Sequence, residues 1–161
     1  IKGEMVSERA YKKAIDTMTT LNSFGMEAFK DLKGVNSVTD ITGFGLLGHC
    51  LEMAEGSGMT IKIESNKVPF IEEAKEYAEM GLIPAGAYNN RKHIGDKVTI
   101  DDSVPKYLED ILFDPQTSGG LLISAQADSA AAIIERLKAG TMPFAAIGTV
   151  LEYNGIHLEV K

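Results

Sequence analysis

At 161 residues, with 44% hydrophobic and 24% charged side chains, the chain has the size and composition of one ordinary globular domain able to enclose an apolar core. A formal net charge of −7 excludes nucleic acid as a main partner, because phosphate binding needs clustered Lys and Arg. The single cysteine, Cys50, excludes an internal disulfide and a multi-cysteine zinc site and fits a cytoplasmic setting, and no apolar run approaches the roughly 18 residues of a membrane helix.

Ala10, Ala14, Met18 and Leu21 recur at helical spacing and predict a first helix from Ser7 to Leu21. Asn22 is a candidate cap for a second helix, with Gly34 as its stop. A short extended piece, Ser37 to Asp40, comes next. Gly43, Gly45 and Gly48 then sit among Phe44, Leu46, Leu47, Leu51 and Ala54, a glycine-rich opening to an apolar helix that Gly56 and Gly58 end. Met59 to Glu64 alternates as a strand does, and Ile71, Ala74 and Ala78 mark a helix closed by Gly81. From Leu82 to Asp102, with Pro84, Gly86, Asn89, Asn90 and Gly95, a long surface connection is expected.

A short helix over Val104 to Ile111 leads into Asp114–Gly120, after which Leu121 to Ala125 reads as a buried strand. Asp128 or Ser129 caps a helix carrying Ile133, Ile134 and Leu137 and stopped by Gly140. Ala145 to Glu152 and Ile156 to Val160 flank Tyr153-Asn154-Gly155 and predict a closing hairpin. The order of elements implies an α+β fold, a mixed, mostly antiparallel sheet packed with helices. Its expected core is Leu46, Leu47, Leu51, Ile61, Ile63, Leu121, Leu122, Ile123, Ile133, Leu137 and Ile147.

Two segments break local folding rules in ways that suit a ligand. In Thr39–His49 a carboxylate, Asp40, stands at the end of a strand, and glycines open the helix behind it, so backbone N–H groups and the positive end of the helix dipole lie close by. That suits Mg²⁺ with phosphate, to which one carboxylate is a reasonable contribution; equally, Asp40 or Thr42 can simply cap the helix. In Asp114–Gly120, Thr117 and Ser118 offer hydroxyls and Gly119-Gly120 permits close backbone approach, while a tight turn before a strand explains the same residues. Asn89, Asn90 and Arg91 are weaker phosphate candidates, and His49 and Cys50 read as structural. The chain opens on Ile1 rather than Met, so an upstream portion is expected.

Thr-Asp-Ile-Thr-Gly-Phe-Gly-Leu-Leu-Gly-His at 39–49 and Asp-Pro-Gln-Thr-Ser-Gly-Gly-Leu-Leu at 114–122 together resemble the two signature stretches of selenophosphate synthetases. Val68-Pro69, Gly81, Asn90 and Ile147-Gly148 also fall where that family has similar features, so the resemblance covers nearly the whole chain. Relatives such as aminoimidazole ribonucleotide synthetase, thiamine monophosphate kinase and the hydrogenase-maturation dehydratase usually carry a shorter glycine motif.

The resemblance implies that residues 1–161 form a single C-terminal domain of the aminoimidazole ribonucleotide synthetase type. The implied whole enzyme turns ATP, water and selenide into selenophosphate, AMP and phosphate with Mg²⁺. By the same likeness Asp40 is a metal ligand, and Thr42, Gly43, Gly45, Asp114, Gln116, Thr117, Ser118, Gly119 and Gly120 line the nucleotide side. The family's catalytic Cys or selenocysteine, its Lys and its other metal-binding aspartates belong to an N-terminal domain, through which the full-length protein is a homodimer; no catalytic residue is assigned here. The alternatives are a non-catalytic binding or assembly module of the same fold, or the C-terminal domain of another superfamily member.

Overall fold

The computed structural model describes residues 6–161. Helix α1 (Glu8–Thr19) starts on Ser7, whose Oγ accepts from the Ala10 N–H and so satisfies one of the open donors of the first turn. Helix α2 (Ser23–Glu27) is short. Asn22 does not cap it, because its Nδ2 donates instead to the Gly119 carbonyl. There follow β1 (Val35–Asp40), α3 (Gly45–Ser57), β2 (Met59–Ile63), α4 (Ala74–Glu79), α5 (Ala85–Ile94) and β3 (Val98–Ile100). The chain ends with α6 (Lys106–Leu112), β4 (Leu121–Ala125), α7 (Ala127–Leu137), β5 (Gly148–Glu152) and β6 (Leu158–Val160). Helix α7 opens without a side-chain cap: Ser129 lies against Gly34, where a Cβ would clash with its hydroxyl.

The α+β class is as expected, with the strands divided between two sheets. Strands β1 and β4 form an antiparallel pair in which Asp40 faces Leu121. The other sheet has the order β3-β6-β2-β5, antiparallel between β2 and β5 and parallel between β6 and both β2 and β3. The predicted closing hairpin is therefore wrong: β5 and β6 lie on opposite sides of β2, and the segment between them wraps around the start of that strand. Polar contacts hold the wrap. The Thr60 hydroxyl donates to the Ile156 carbonyl at 2.5 Å, Asn154 Oδ1 accepts from the Ile156 N–H at 3.3 Å, and His157 Nδ1 meets the Met59 carbonyl at 2.9 Å. Asn154 thus makes the local Asx turn its chemistry favours, in a wider connection than a two-residue hairpin.

The stretch from Leu82 to Asp102 is a second correction, since it folds into α5 and β3 rather than a surface connection. The buried residues of α5 are Ala87, Asn90 and Ile94, spaced as one helix face. A polar Asn in the middle of that face hides the stripe that would otherwise have announced a helix.

Helix α3 occupies the centre of the molecule, and every residue from Gly45 to Leu51 is buried. Around it pack Ile61, Ile63, Ile94, Leu112, Phe113, Leu158 and Val160. Leu46, Leu47, Leu51, Ile61, Ile63 and Ile133 are buried as expected, whereas Leu121, Leu122, Ile123, Leu137 and Ile147 are only half-buried. For β4 the reason is topological: it pairs with β1 alone in a two-stranded sheet, and its Leu122 packs against the main apolar cluster from the edge. No helix among the described residues is long and apolar enough to cross a membrane.

Replacing the fully buried Thr60 by Val leaves the Ile156 carbonyl without its donor. The Thr60→Val chain is expected to lose about 1–2 kcal/mol in urea unfolding. An unchanged midpoint would show that the wrap is held by other means.

Candidate functional site

The two unusual segments meet. Beyond the last β1–β4 pair the ladder continues, with the Ile41 N–H donating to the Gly120 carbonyl at 2.9 Å and the Gly119 N–H donating to the Ile41 carbonyl at 2.8 Å. The Thr42 carbonyl then accepts from the Gln116 and Gly45 N–H groups, both at 3.0 Å. Asn90 completes the junction from α5. Its Nδ2 donates to the Gly43 carbonyl at 2.9 Å and the Phe113 carbonyl at 3.0 Å, joining the two segments through one buried amide.

Two glycines permit this closeness. Gly45 has φ +70°, and a Cβ there would stand 2.9–3.0 Å from the Phe113 and Asp114 carbonyls. At Gly119 a Cβ would lie 2.6 Å from the Ile41 carbonyl oxygen and 2.4 Å from Gln116 Oε1. Gly45 and Gly119 are buried, so both serve contact between the segments, and Gln116 is tucked over Gly119. Gly43 and Gly120 differ, for both are exposed with nothing within 4 Å of an added Cβ.

The carbonyls of Ile41, Thr42 and Gly43 all point at partners on the second segment or α5. In a trans peptide the carbonyl and the following N–H point in opposite directions, and no described peptide is cis. The N–H groups of Thr42, Gly43 and Phe44 therefore turn away from those partners, toward the side on which Gly43 and Phe44 are exposed. Amides turned outward at successive residues are donors of the kind an anion takes. At its edge stands the exposed carboxylate of Asp40. Thr117 is exposed and Ser118 half-buried in the neighbouring loop.

Asp114 is half-buried, and removal from water pushes its carboxyl up to about 6. Cys50 is fully enclosed, and burial pushes its thiol up to about 12, which leaves it unreactive. Arg91, a phosphate candidate from the sequence, is committed elsewhere: its guanidinium pairs with Glu109 and Asp110 and lies over the Phe113 ring. Asn90 likewise faces inward. His49 is buried with Nε2 at 3.2 Å from the Thr42 hydroxyl and Nδ1 at 2.9 Å from Glu52 Oε2. That connection is visible in sequence only as spacing, with His49 one turn before Glu52 on α3.

The family model for the AIR synthase related protein, C-terminal domain, matches residues 7–161. The chain belongs to this family. It is 49% identical to the selenide, water dikinase of Caldanaerobacter subterraneus subsp. tengcongensis over 85% of the chain and 39% of that protein. Selenide, water dikinase 2 of Peptoclostridium acidaminophilum is 45% identical over 94% of the chain and 43% of its own length. A Clostridium botulinum selenide, water dikinase is 43% identical over 99% of the chain and 46% of its length. The chain thus spans less than half of these relatives. Among solved structures, E. coli HypE, a hydrogenase maturation protein, aligns with a TM-score of 0.57 over 83% of this chain and 34% of its own, at 18% identity, which shows a shared fold.

Two measurements probe the junction. Gly45→Ala is expected to cost about 2 kcal/mol, through a strained left-handed residue and collision with two carbonyls, whereas Gly43→Ala stays within about 0.5 kcal/mol. Equal melting of the two variants would remove Gly45 from this role. For Asp114, the folded chain holds the carboxyl proton through a window from about pH 4 to pH 6 in which the unfolded chain has released it, so this group's contribution to stability falls as pH rises through the window. Asp114→Asn is expected to melt above the parent near neutral pH, by about 1 kcal/mol after allowance for partial solvation, and to converge with it toward about pH 4. A difference that grows on acidification would contradict this.

Proposed function

We propose that the chain is a single C-terminal domain, residues 1–161, of a cytoplasmic selenide, water dikinase, an enzyme that converts ATP, water and selenide to selenophosphate, AMP and phosphate. The observation that supports this most is the junction itself. The two stretches that resemble selenophosphate synthetase signatures are brought into backbone contact, and the contact leaves one exposed carboxylate beside outward-facing amides. Named relatives that extend well beyond this chain agree with the reading.

On this reading Asp40 is a ligand for Mg²⁺, which prefers carboxylate and phosphate oxygens. When bound, the ion would supply charge neutralisation for the transferring phosphoryl group. The donor set fits a shared rather than a complete site: among the described residues no group of three His, Cys, Asp or Glu gathers to hold a metal. The remaining ligands and the nucleophile then belong to the N-terminal domain, which docks against this face, and the full-length protein is a homodimer. Thr42, Gly43, Thr117, Ser118 and Gly120 face the nucleotide. Gly45, Asp114, Gln116 and Gly119 hold the two segments in register.

Selenide-dependent AMP formation tests this on the chain alone, the full-length enzyme and its Asp40→Asn variant, with thermal melting of each. The chain alone is expected to be inert, and Asp40→Asn to fold normally while losing nearly all turnover, because asparagine keeps the shape and removes the charge. Robust activity of the chain alone would place the catalytic machinery within it. Near-normal turnover in the folded variant would leave Asp40 without a part in the reaction, since α3 opens on Phe44 with no side-chain cap.

A further inference from the structure

Beyond Asp40 the site contains a hydrogen-bonded series of three side chains: Thr42 Oγ1 to His49 Nε2 at 3.2 Å, and His49 Nδ1 to Glu52 Oε2 at 2.9 Å. His49 is only 7% exposed, whereas the Glu52 side chain is 58% exposed. Phe44 packs at a tilt against the imidazole, with ring centroids 5.8 Å apart. The geometry points to a positioning relay in which Glu52 and His49 hold the Thr42 hydroxyl proton inward, so that its oxygen faces the ligand as an electron-pair donor. This inference rests on the reading of the Asp40 turn as a cation and phosphate site, and it assigns Thr42 to the cation rather than to the phosphate.

The polarity follows from what each group can do. An ionised carboxylate only accepts, so the nitrogen facing Glu52, Nδ1, carries the proton. In a neutral imidazole the other nitrogen, Nε2, is then an acceptor. Among the described residues the hydroxyl in hydrogen-bond reach of Nε2 is that of Thr42, which then donates, and its proton is no longer available to a phosphate oxygen. The oxygen's lone pairs remain, and the Thr42 carbonyl is already engaged by Gln116 and Gly45. A hydroxyl without this relay rotates freely and serves phosphate or metal indifferently. The arrangement repeats at a threonine the way outer carboxylates orient metal-bound histidines, through the polarity of the hydrogen bond behind the ligand.

The chain labelled with ¹⁵N-histidine tests the polarity directly, with His49 assigned by the signals that vanish in His49→Gln. At about pH 8 the His49 ring is expected to carry its proton on Nδ1, facing Glu52, and none on Nε2. In Glu52→Ala, a surface change, the Nε2-protonated form is expected to rise. A parent ring protonated on Nε2, a doubly protonated ring, or an unaltered tautomer in Glu52→Ala would each overturn the relay. In the full-length enzyme, Thr42→Val and His49→Gln are expected to raise the Mg²⁺ concentration for half-maximal rate about tenfold, with a smaller change in KM for ATP at saturating Mg²⁺ and recovery in Thr42→Ser. An unchanged Mg²⁺ requirement would return Thr42 to the phosphate side. A full-length enzyme that makes no selenophosphate would sink the proposed function instead, and the tautomer measurement would stand apart from it.

Discussion

Everything at the candidate site depends on two backbone segments lying closer together than side chains permit. Past the end of β1, Ile41 donates to the Gly120 carbonyl and accepts from the Gly119 N–H, and the start of α3 leans on the Phe113 and Asp114 carbonyls at Gly45. Each contact needs the absence of a Cβ. With both present, three consecutive carbonyls of the Asp40 turn find partners inward, and the amides that follow them have one direction left. The outward direction of those amides is thus a by-product of how the turn is anchored rather than of any charged group placed there. That anchoring also explains why α3 is buried on every side over its first two turns: a helix whose first residues are clamped between β1, α5 and α6 has no solvent face.

Asn90 is the most economical element of that anchoring. A buried amide with two donors can satisfy two carbonyls at once, here those of Gly43 and of the buried Phe113. Its position in mid-helix on the core face of α5 ties a third element to the junction. The cation beside it in sequence serves the same end, since Arg91 joins α5 to Glu109 and Asp110 of α6 and covers Phe113. Helices α5 and α6 therefore brace the second segment from behind.

Much of this was legible in the sequence, and the failures have physical causes. Helix α3 and its Gly58 stop follow from apolar density and a left-handed end, and strand β2 from alternation. The meeting of the two glycine-bearing segments agrees with the resemblance, which put both on the nucleotide side. Helix α5 went unseen because a polar residue occupies its core face. The order of β5, β2 and β6 went unseen because Asn154-Gly155 signals a turn without saying what the chain turns around. The relay through His49 was also hidden, as neither spacing nor residue type says which way a buried imidazole is protonated.

Charge explains why the face is unfinished on its own. With 23 acidic and 16 basic residues the chain repels polyphosphate at long range, and its outward amides carry only partial charges. Asp40, exposed beside those amides, opposes an anion unless a cation stands between them. A carboxylate in that place is therefore useful only if the phosphate arrives with its metal, or if the metal is already held from the other side. Arg91 is not free to supply the missing positive charge, because Glu109 and Asp110 hold it. The polarity proposed for Thr42 fits the same constraint: a hydroxyl turned to present its oxygen would add a second ligand next to Asp40 without adding negative charge. Both groups ask for a cation, and the amides behind them ask for its phosphate. Two demands of opposite sign at one turn are what a face that closes over a metal-bound nucleotide needs.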